Sequence, residues 1–153
     1  MTKIVVTHHP FDVPPGQDDA DLLGRAEMAM QTLARCGADV LLAGHLHLSH
    51  TGHSAARYHV EGHSALVVHA GTATSTRGRG ETNSFNVIRV DHPHIEIERV
   101  SWRTETGNFI TFLTERFIHT SAGWVRLADA PPTVEDTVAS VVQDANESND
   151  PPQ

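Results

Sequence analysis

The chain of 153 residues is long enough for one ordinary domain with a hydrophobic core. Its composition, 39% hydrophobic and 20% charged, is typical of a soluble globular protein, and no apolar run approaches the roughly 20 residues that cross a bilayer, so we expect no membrane span. The net charge of −8 argues against a nucleic-acid groove, which would need a basic surface. The 12 histidines exceed what a core alone requires.

The single cysteine, Cys36, cannot form an internal disulfide, and the N-terminus lacks the pattern of a signal peptide. We therefore predict a cytoplasmic protein. Residues 131–153 contain five acidic side chains and neither lysine nor arginine. This composition predicts a mostly disordered acidic tail, with at most a short helix at 134–142, after a single folded region over residues 1–130.

The first third of the chain predicts a strand, a helix and a second strand. Residues 3–7 are largely β-branched, and Pro10 shortly after them stops further strand pairing. Residues 18–36 show the apolar spacing of a helix with acidic residues in its first turn. Residues 39–43 are again apolar. A right-handed crossover makes the two strands parallel neighbours. Alternating segments then predict an antiparallel meander over residues 57–61, 65–71, 84–91, 95–103 and 109–119.

Histidines follow both predicted strands. The segment GHLHLSH at residues 44–50 comes after the second strand, and His8 comes after the first. The carboxyl ends of neighbouring parallel strands lie at one edge of a sheet, where ligands bind in open α/β folds. In an extended chain His45 and His47 point to the same side, with α-carbons about 6.6 Å apart. The pattern predicts a metal site with His8, His45 and His47 as ligands.

THHPF at residues 7–11, followed by a helix and then LLAGHLH at 41–47, resembles the last two metal-binding motifs of the calcineurin-like metallophosphoesterases. HAGTATSTRGRGETNSFNVIRVD at 69–91 also resembles the segment that follows the Gly-His-x-His motif in bacterial members. The resemblance covers roughly residues 3–103. It implies an α/β fold, the C-terminal half of a four-layer sandwich with mixed or antiparallel sheets and few helices, and hydrolysis of phosphoesters at a binuclear metal centre.

The resemblance implies that His8 and His45 bind one ion and His47 the other, the ions being manganese, iron or zinc. His9 stands where the family varies and receives no role. The family's three earlier motifs, which carry the aspartate and asparagine ligands, do not occur in this sequence. Three neutral imidazoles suit hard ions poorly, so the binuclear centre should not assemble in this chain alone. One zinc ion could still bind through the three histidines.

Two functions remain open. The chain is either part of a metal-dependent phosphoesterase acting on a phosphoester substrate, or a non-catalytic module, such as half of a split enzyme with an N-terminal partner chain or a mononuclear zinc protein. Arg77 and Arg79, in the loop after a predicted strand, could contact substrate phosphate. An exposed strand at residues 3–7 would favour a homo-oligomer.

Overall fold

The computed structural model describes residues 1–76 and 80–128. Residues 77–79 and 129–153 lie outside this description, and with them the predicted acidic tail and its short helix. In chain order the elements are β1 (Ile4–Thr7), α1 (Ala26–Arg35), β2 (Val40–Ala43), β3 (His50–His53), β4 (Leu66–His69), β5 (Ser84–Asp91), β6 (His94–Arg103), β7 (Asn108–Thr120) and β8 (Gly123–Arg126). The predicted α/β class with few helices is confirmed.

The first sheet has the strand order β1-β2-β4-β3. β1 pairs with β2 in parallel and β2 pairs with β4 in parallel, whereas β3 runs antiparallel to β4. The predicted parallel pair at the start of the chain is therefore confirmed. Because β1, β2 and β4 point the same way, the residues that follow them meet at one edge of this sheet.

The second sheet is an antiparallel meander with the order β5-β6-β7-β8. It packs on one face of the first sheet, and α1 packs on the other. The side chains of β2 alternate between these layers: Leu41 joins Met30 of α1 in one buried cluster, and Val40 joins Ile97 and Phe117 of the second sheet in another. The layers are therefore helix, sheet and sheet.

The predicted helix starts too early. α1 begins at Ala26 rather than at residue 18, and residues 19–21 form a separate 3-10 turn. Asp18 caps this turn by accepting a hydrogen bond from the Ala20 amide, and Arg25, with a φ of +62°, separates the turn from α1. The acidic residues thus precede the helix instead of forming its first turn. The predicted end is confirmed, since Gly37 follows it with a φ of +64°.

The meander is confirmed only for β5, β6 and β7. The predicted strand at 65–71 contains β4, which belongs to the first sheet and pairs in parallel with β2. The segment 57–61 is not a strand, because Arg57 and Tyr58 hold it against the loop after β1 through bonds to Asp12 and to the Phe11 carbonyl oxygen. Strands β3 and β8 were not predicted.

β1 is an edge strand of the first sheet, and one of its faces is uncovered. Val6 is 73% exposed and Ile4 is 44% exposed, although both are β-branched and apolar.

No helix within residues 1–76 and 80–128 is both long and apolar enough to span a bilayer.

Candidate metal centre

Three histidines come together at the edge of the first sheet. His8 and His9 follow β1 directly, and His45 follows β2 two residues after its end. Each of the three offers a ring nitrogen within 4.8 Å of the others. His8 and His9 are exposed and His45 is partly buried. We call these three residues the histidine cluster; the region between the strand ends is open to solvent, so an ion could enter it directly.

The distances within the histidine cluster suit one ion. His45 Nδ1 lies 3.1 Å from His8 Nε2, and the rings of His9 and His45 have centroids 4.0 Å apart. Two nitrogens that bind one tetrahedral zinc at about 2.0–2.1 Å lie about 3.3 Å from each other. The His8 and His45 nitrogens are thus already spaced as ligands of a single ion.

Asp21 contacts two rings of the histidine cluster and orients them. Its Oδ1 lies 3.3 Å from His45 Nε2, the ring nitrogen that faces away from His8, and its backbone oxygen lies 3.3 Å from His9 Nδ1. If His45 Nε2 donates to the carboxylate, Nδ1 keeps its lone pair for an ion. A carboxylate that holds the outer nitrogen of a ligand histidine fixes the tautomer and raises the basicity of the ring. Asp21 was not singled out in the sequence, because its acidic neighbours suggested the start of a helix.

The backbone after β2 is not extended. His45 has a φ of +68° and His47 a φ of +59°, which is uncommon for residues other than glycine. The expectation that both histidines point to the same side of an extended segment is therefore wrong. Each left-handed residue costs on the order of 1–3 kcal/mol, and such strain concentrates at functional sites. His45 reaches the cluster because of this turn, whereas His47 is not among the three residues brought together there.

His9 is the one residue of the cluster to which neither the sequence pattern nor the family resemblance assigns a role. Neighbouring residues of a strand point to opposite faces, so His8 and His9 would diverge if β1 continued. β1 ends at Thr7, however, and the two rings pack edge to face with centroids 5.0 Å apart. Pro10, which forbids further strand pairing at that point, was the signal that the chain leaves the strand at the histidine pair.

Two other histidines, the partly buried His50 and the buried His69, lie next to each other on β3 and β4. His50 of β3 is paired in register with His69 of β4, and their ring centroids are 5.6 Å apart. His69 is fully buried, and neither of its ring nitrogens has a hydrogen-bond partner in the described part of the chain. Burial lowers its pKa from 6.5 to about 4. Burial also lowers the pKa of His50. This pair is held neutral at physiological pH by its surroundings.

The ligand chemistry fits one zinc ion better than a pair of hard ions. Imidazole nitrogen suits zinc, and three protein ligands with one open position make a sufficient zinc site. Within residues 1–76 and 80–128 no carboxylate belongs to the group of mutually close ligand atoms. Two divalent ions would remain without an anionic ligand there. Arg77 and Arg79, proposed from the sequence as phosphate contacts, lie outside the described residues.

No protein-family model and no curated protein matches the chain. Among solved structures, Vps29 from Chaetomium thermophilum matches over 75% of this chain and 53% of its own, with 15% identity and a TM-score of 0.45. A double mutant of Vps29 from Entamoeba histolytica matches over 78% of this chain, with 16% identity and a TM-score of 0.42. A single mutant of the same protein matches over 72% of this chain, with 18% identity and a TM-score of 0.41. The chain spans about half the length of these structures, 53% and 55% for the two mutants.

Proposed function

We propose that the chain binds one divalent ion, preferably zinc, through His8, His9 and His45. In this proposal the three histidines form one part of the metal centre of a metal-dependent phosphoesterase. The observation that carries the proposal is the 3.1 Å separation of His45 Nδ1 and His8 Nε2, with Asp21 at the outer nitrogen of His45. The order of THHPF and LLAGHLH, which resembles two metallophosphoesterase motifs, supports the reaction class.

A bound divalent ion would polarise a phosphoryl oxygen and lower the pKa of an attacking water. The residues of this chain present imidazole nitrogens, and the contact of Asp21 with the outer nitrogen orients the His45 ring for ligation. The histidine cluster contains no carboxylate. A second ion, which clamps the opposite oxygen in two-metal hydrolysis, therefore needs ligands from another polypeptide or from residues outside the described ones.

Paired titrations and rate measurements on the full chain test this proposal. Calorimetry should give one zinc per chain, and the chain alone should hydrolyse bis-p-nitrophenyl phosphate barely above background even with added Mn²⁺. Co-expression with a polypeptide that carries the three missing metallophosphoesterase motifs should restore activity. Strong turnover by the chain alone, abolished by His45→Ala, would show that its own residues complete the site.

His47 keeps the role that the resemblance implies, as a ligand of the second ion. In the restored assembly, His47→Ala should remove hydrolysis, while the zinc stoichiometry of the isolated chain should stay at one. Loss of zinc from the isolated His47→Ala chain would instead place His47 among the ligands of the first ion.

A non-catalytic zinc-binding module is the second candidate. Within residues 1–76 and 80–128, no carboxylate joins the three histidines as a possible ligand. This favours the module, because phosphoryl transfer by two metals relies on anionic ligands to hold both ions. This candidate predicts that zinc raises the melting temperature of the chain and that no complementing polypeptide restores hydrolysis. The co-expression experiment thus separates the two functions.

A further inference from the structure

A surface pocket of about 310 Å³ lies on the second sheet, away from the histidine cluster. Its walls come from the start of β5 and from the adjoining ends of β6 and β7. The side chains that line it and bear on its chemistry are Thr82, Ser84, Arg99, Ser101, Arg103 and Phe112. We call this the arginine pocket, because two guanidinium groups face it.

Arg99 is a partly buried charge without a counter-ion among the described residues. It lies on the face of β6 that also carries the buried residues Ile97 and Ser101. Its Nε is enclosed and has no hydrogen-bond partner within residues 1–76 and 80–128. No described residue forms an ion pair with Arg99. A guanidinium is always charged, and an enclosed N–H group of such a cation is costly to leave without a hydrogen bond. The position therefore calls for an anion.

Glu81, the one carboxylate on the pocket wall, does not supply that anion. Its Oε2 accepts a hydrogen bond of 2.9 Å from the Ser49 amide, and the residue is exposed. Arg103 lies over the Phe112 ring at 5.8 Å and, like Arg99, has no ion pair with any residue in the described ranges. The pocket thus holds two positive charges against one negative charge, in a chain whose net charge is −8.

The strand pairing is interrupted at this pocket. In the register of β6 with β7, Arg99 pairs with Leu113 and Val100 with Thr111, so that Phe112 is an extra residue with no partner. Such a bulge re-aims a side chain, and bulges are over-represented beside binding sites. Phe112 lines the pocket although it is 59% exposed. An exposed aromatic ring beside two guanidinium groups offers an apolar surface next to an anion site.

We propose that the arginine pocket binds a small organic phosphate. Arg99 and Arg103 hold the phosphoryl oxygens by charge-assisted hydrogen bonds, the hydroxyl groups of Ser84 and Ser101 lie on the same wall, and the organic group packs on Phe112. A volume of about 310 Å³ accommodates a phosphoryl group with a small ring. The proposal goes beyond the metal site, and it holds whether or not zinc binds to the histidine cluster.

The test is calorimetric titration of the full chain with phenyl phosphate, inorganic phosphate and phenylacetate, at constant ionic strength and with EDTA present. EDTA removes metal-bound phosphate as a source of signal. Phenyl phosphate should bind most tightly, inorganic phosphate more weakly, and phenylacetate, which presents only two oxygens, most weakly. Arg99→Gln should weaken the affinity for phenyl phosphate by about tenfold or more, because it removes a charge-assisted hydrogen bond.

Arg103→Gln is the second variant, because Arg103 is exposed and its replacement leaves the fold intact. Arg103→Gln should also weaken the affinity for phenyl phosphate. Arg89→Gln is the matched control: Arg89 is exposed and paired with Glu96 and Glu98, so binding should be unchanged. Equal affinity in the wild type, Arg99→Gln and Arg103→Gln, or no saturable binding of any phosphate to the wild type, would overturn the proposal.

Discussion

The carboxyl edge of the first sheet carries histidines in opposite environments at its β1–β2 end and at its β3–β4 end. At the β1–β2 end, His8, His9 and His45 lie at the surface with nitrogens facing one another, and Asp21 holds one ring from behind. At the β3–β4 end, the buried ring of His69 lies against that of His50, and neither nitrogen of His69 has a hydrogen-bond partner among the residues that the structure describes. Histidines from one short sequence segment, GHLHLSH, thus contribute to both regions.

This difference teaches that the position of a histidine relative to the strand end decides what it can do. His45 leaves β2 through a left-handed turn, which exposes its ring to an ion and to Asp21. His50 lies within a strand, where pairing with β4 places it beside His69. Ligation needs an accessible lone pair with a fixed orientation, and only the β1–β2 end provides both in the described residues.

The largest expected effect is on zinc affinity. His45→Ala should weaken the affinity for zinc, because it removes a ligand. The loss should exceed the roughly 10–100-fold that is typical of losing a residue that only orients a ligand. His50→Ala is the matched control from the same sequence segment and should leave the affinity within about twofold, less than half a kcal/mol. Calorimetry on both variants measures the contrast. Equal losses would erase the distinction between the two ends.

The second effect concerns stability at the β3–β4 end. Burial lowers the pKa of His69 from 6.5 to about 4, so below pH 6.5 the unfolded chain binds a proton that the folded chain does not. The free energy of unfolding should therefore fall as the pH drops from 6.5 towards 4, by up to about 3 kcal/mol from this residue. Urea unfolding of the wild type and His69→Leu across this range measures it.

His69→Leu should flatten the pH dependence in that window, and His59→Leu, which changes an exposed histidine, should not. Identical pH profiles for the wild type and His69→Leu would mean that His69 is not held neutral by burial.

A smaller effect is expected from Asp21, which belongs to the β1–β2 end without being a ligand. Asp21→Asn keeps the shape of the side chain and removes its charge, and it should weaken zinc by about 10–100-fold with unchanged stoichiometry. Asp18→Asn, in the same loop, is the control and should leave the affinity unchanged. A wild-type affinity in Asp21→Asn would show that the 3.3 Å contact with His45 has no role in ligation.

Local sequence patterns predicted the strands β1 and β2, their parallel pairing and the position of His8 and His45 at adjacent strand ends. They failed where contacts distant in sequence decide the structure. The acids of residues 18–21 have the pattern of a helix start, yet Asp19 pairs with Arg57 and Asp21 contacts His45. The parallel pairing of β4 with β2 is equally non-local, since alternation within one strand does not specify its partner.

The smallest effect is expected from the edge strand that leads to the cluster. Val6 is 73% exposed on β1, and an uncovered apolar edge favours pairing with a second copy. Wild-type chain should self-associate as its concentration rises, whereas Val6→Lys should be shifted towards the monomer of 16.7 kDa and keep its zinc affinity. Size-exclusion chromatography with light scattering measures this. A wild type that is monomeric at every concentration would contradict the prediction.

A crystal structure of the zinc-loaded chain, with data collected on both sides of the zinc absorption edge, tests the central claim most directly. We predict one anomalous peak per chain at the β1–β2 end, about 2.0–2.1 Å from one ring nitrogen each of His8, His9 and His45. Asp21 should remain on the outer nitrogen of His45. A zinc ion bound by His50 and His69, or one held at the sheet edge without His45, would contradict the account.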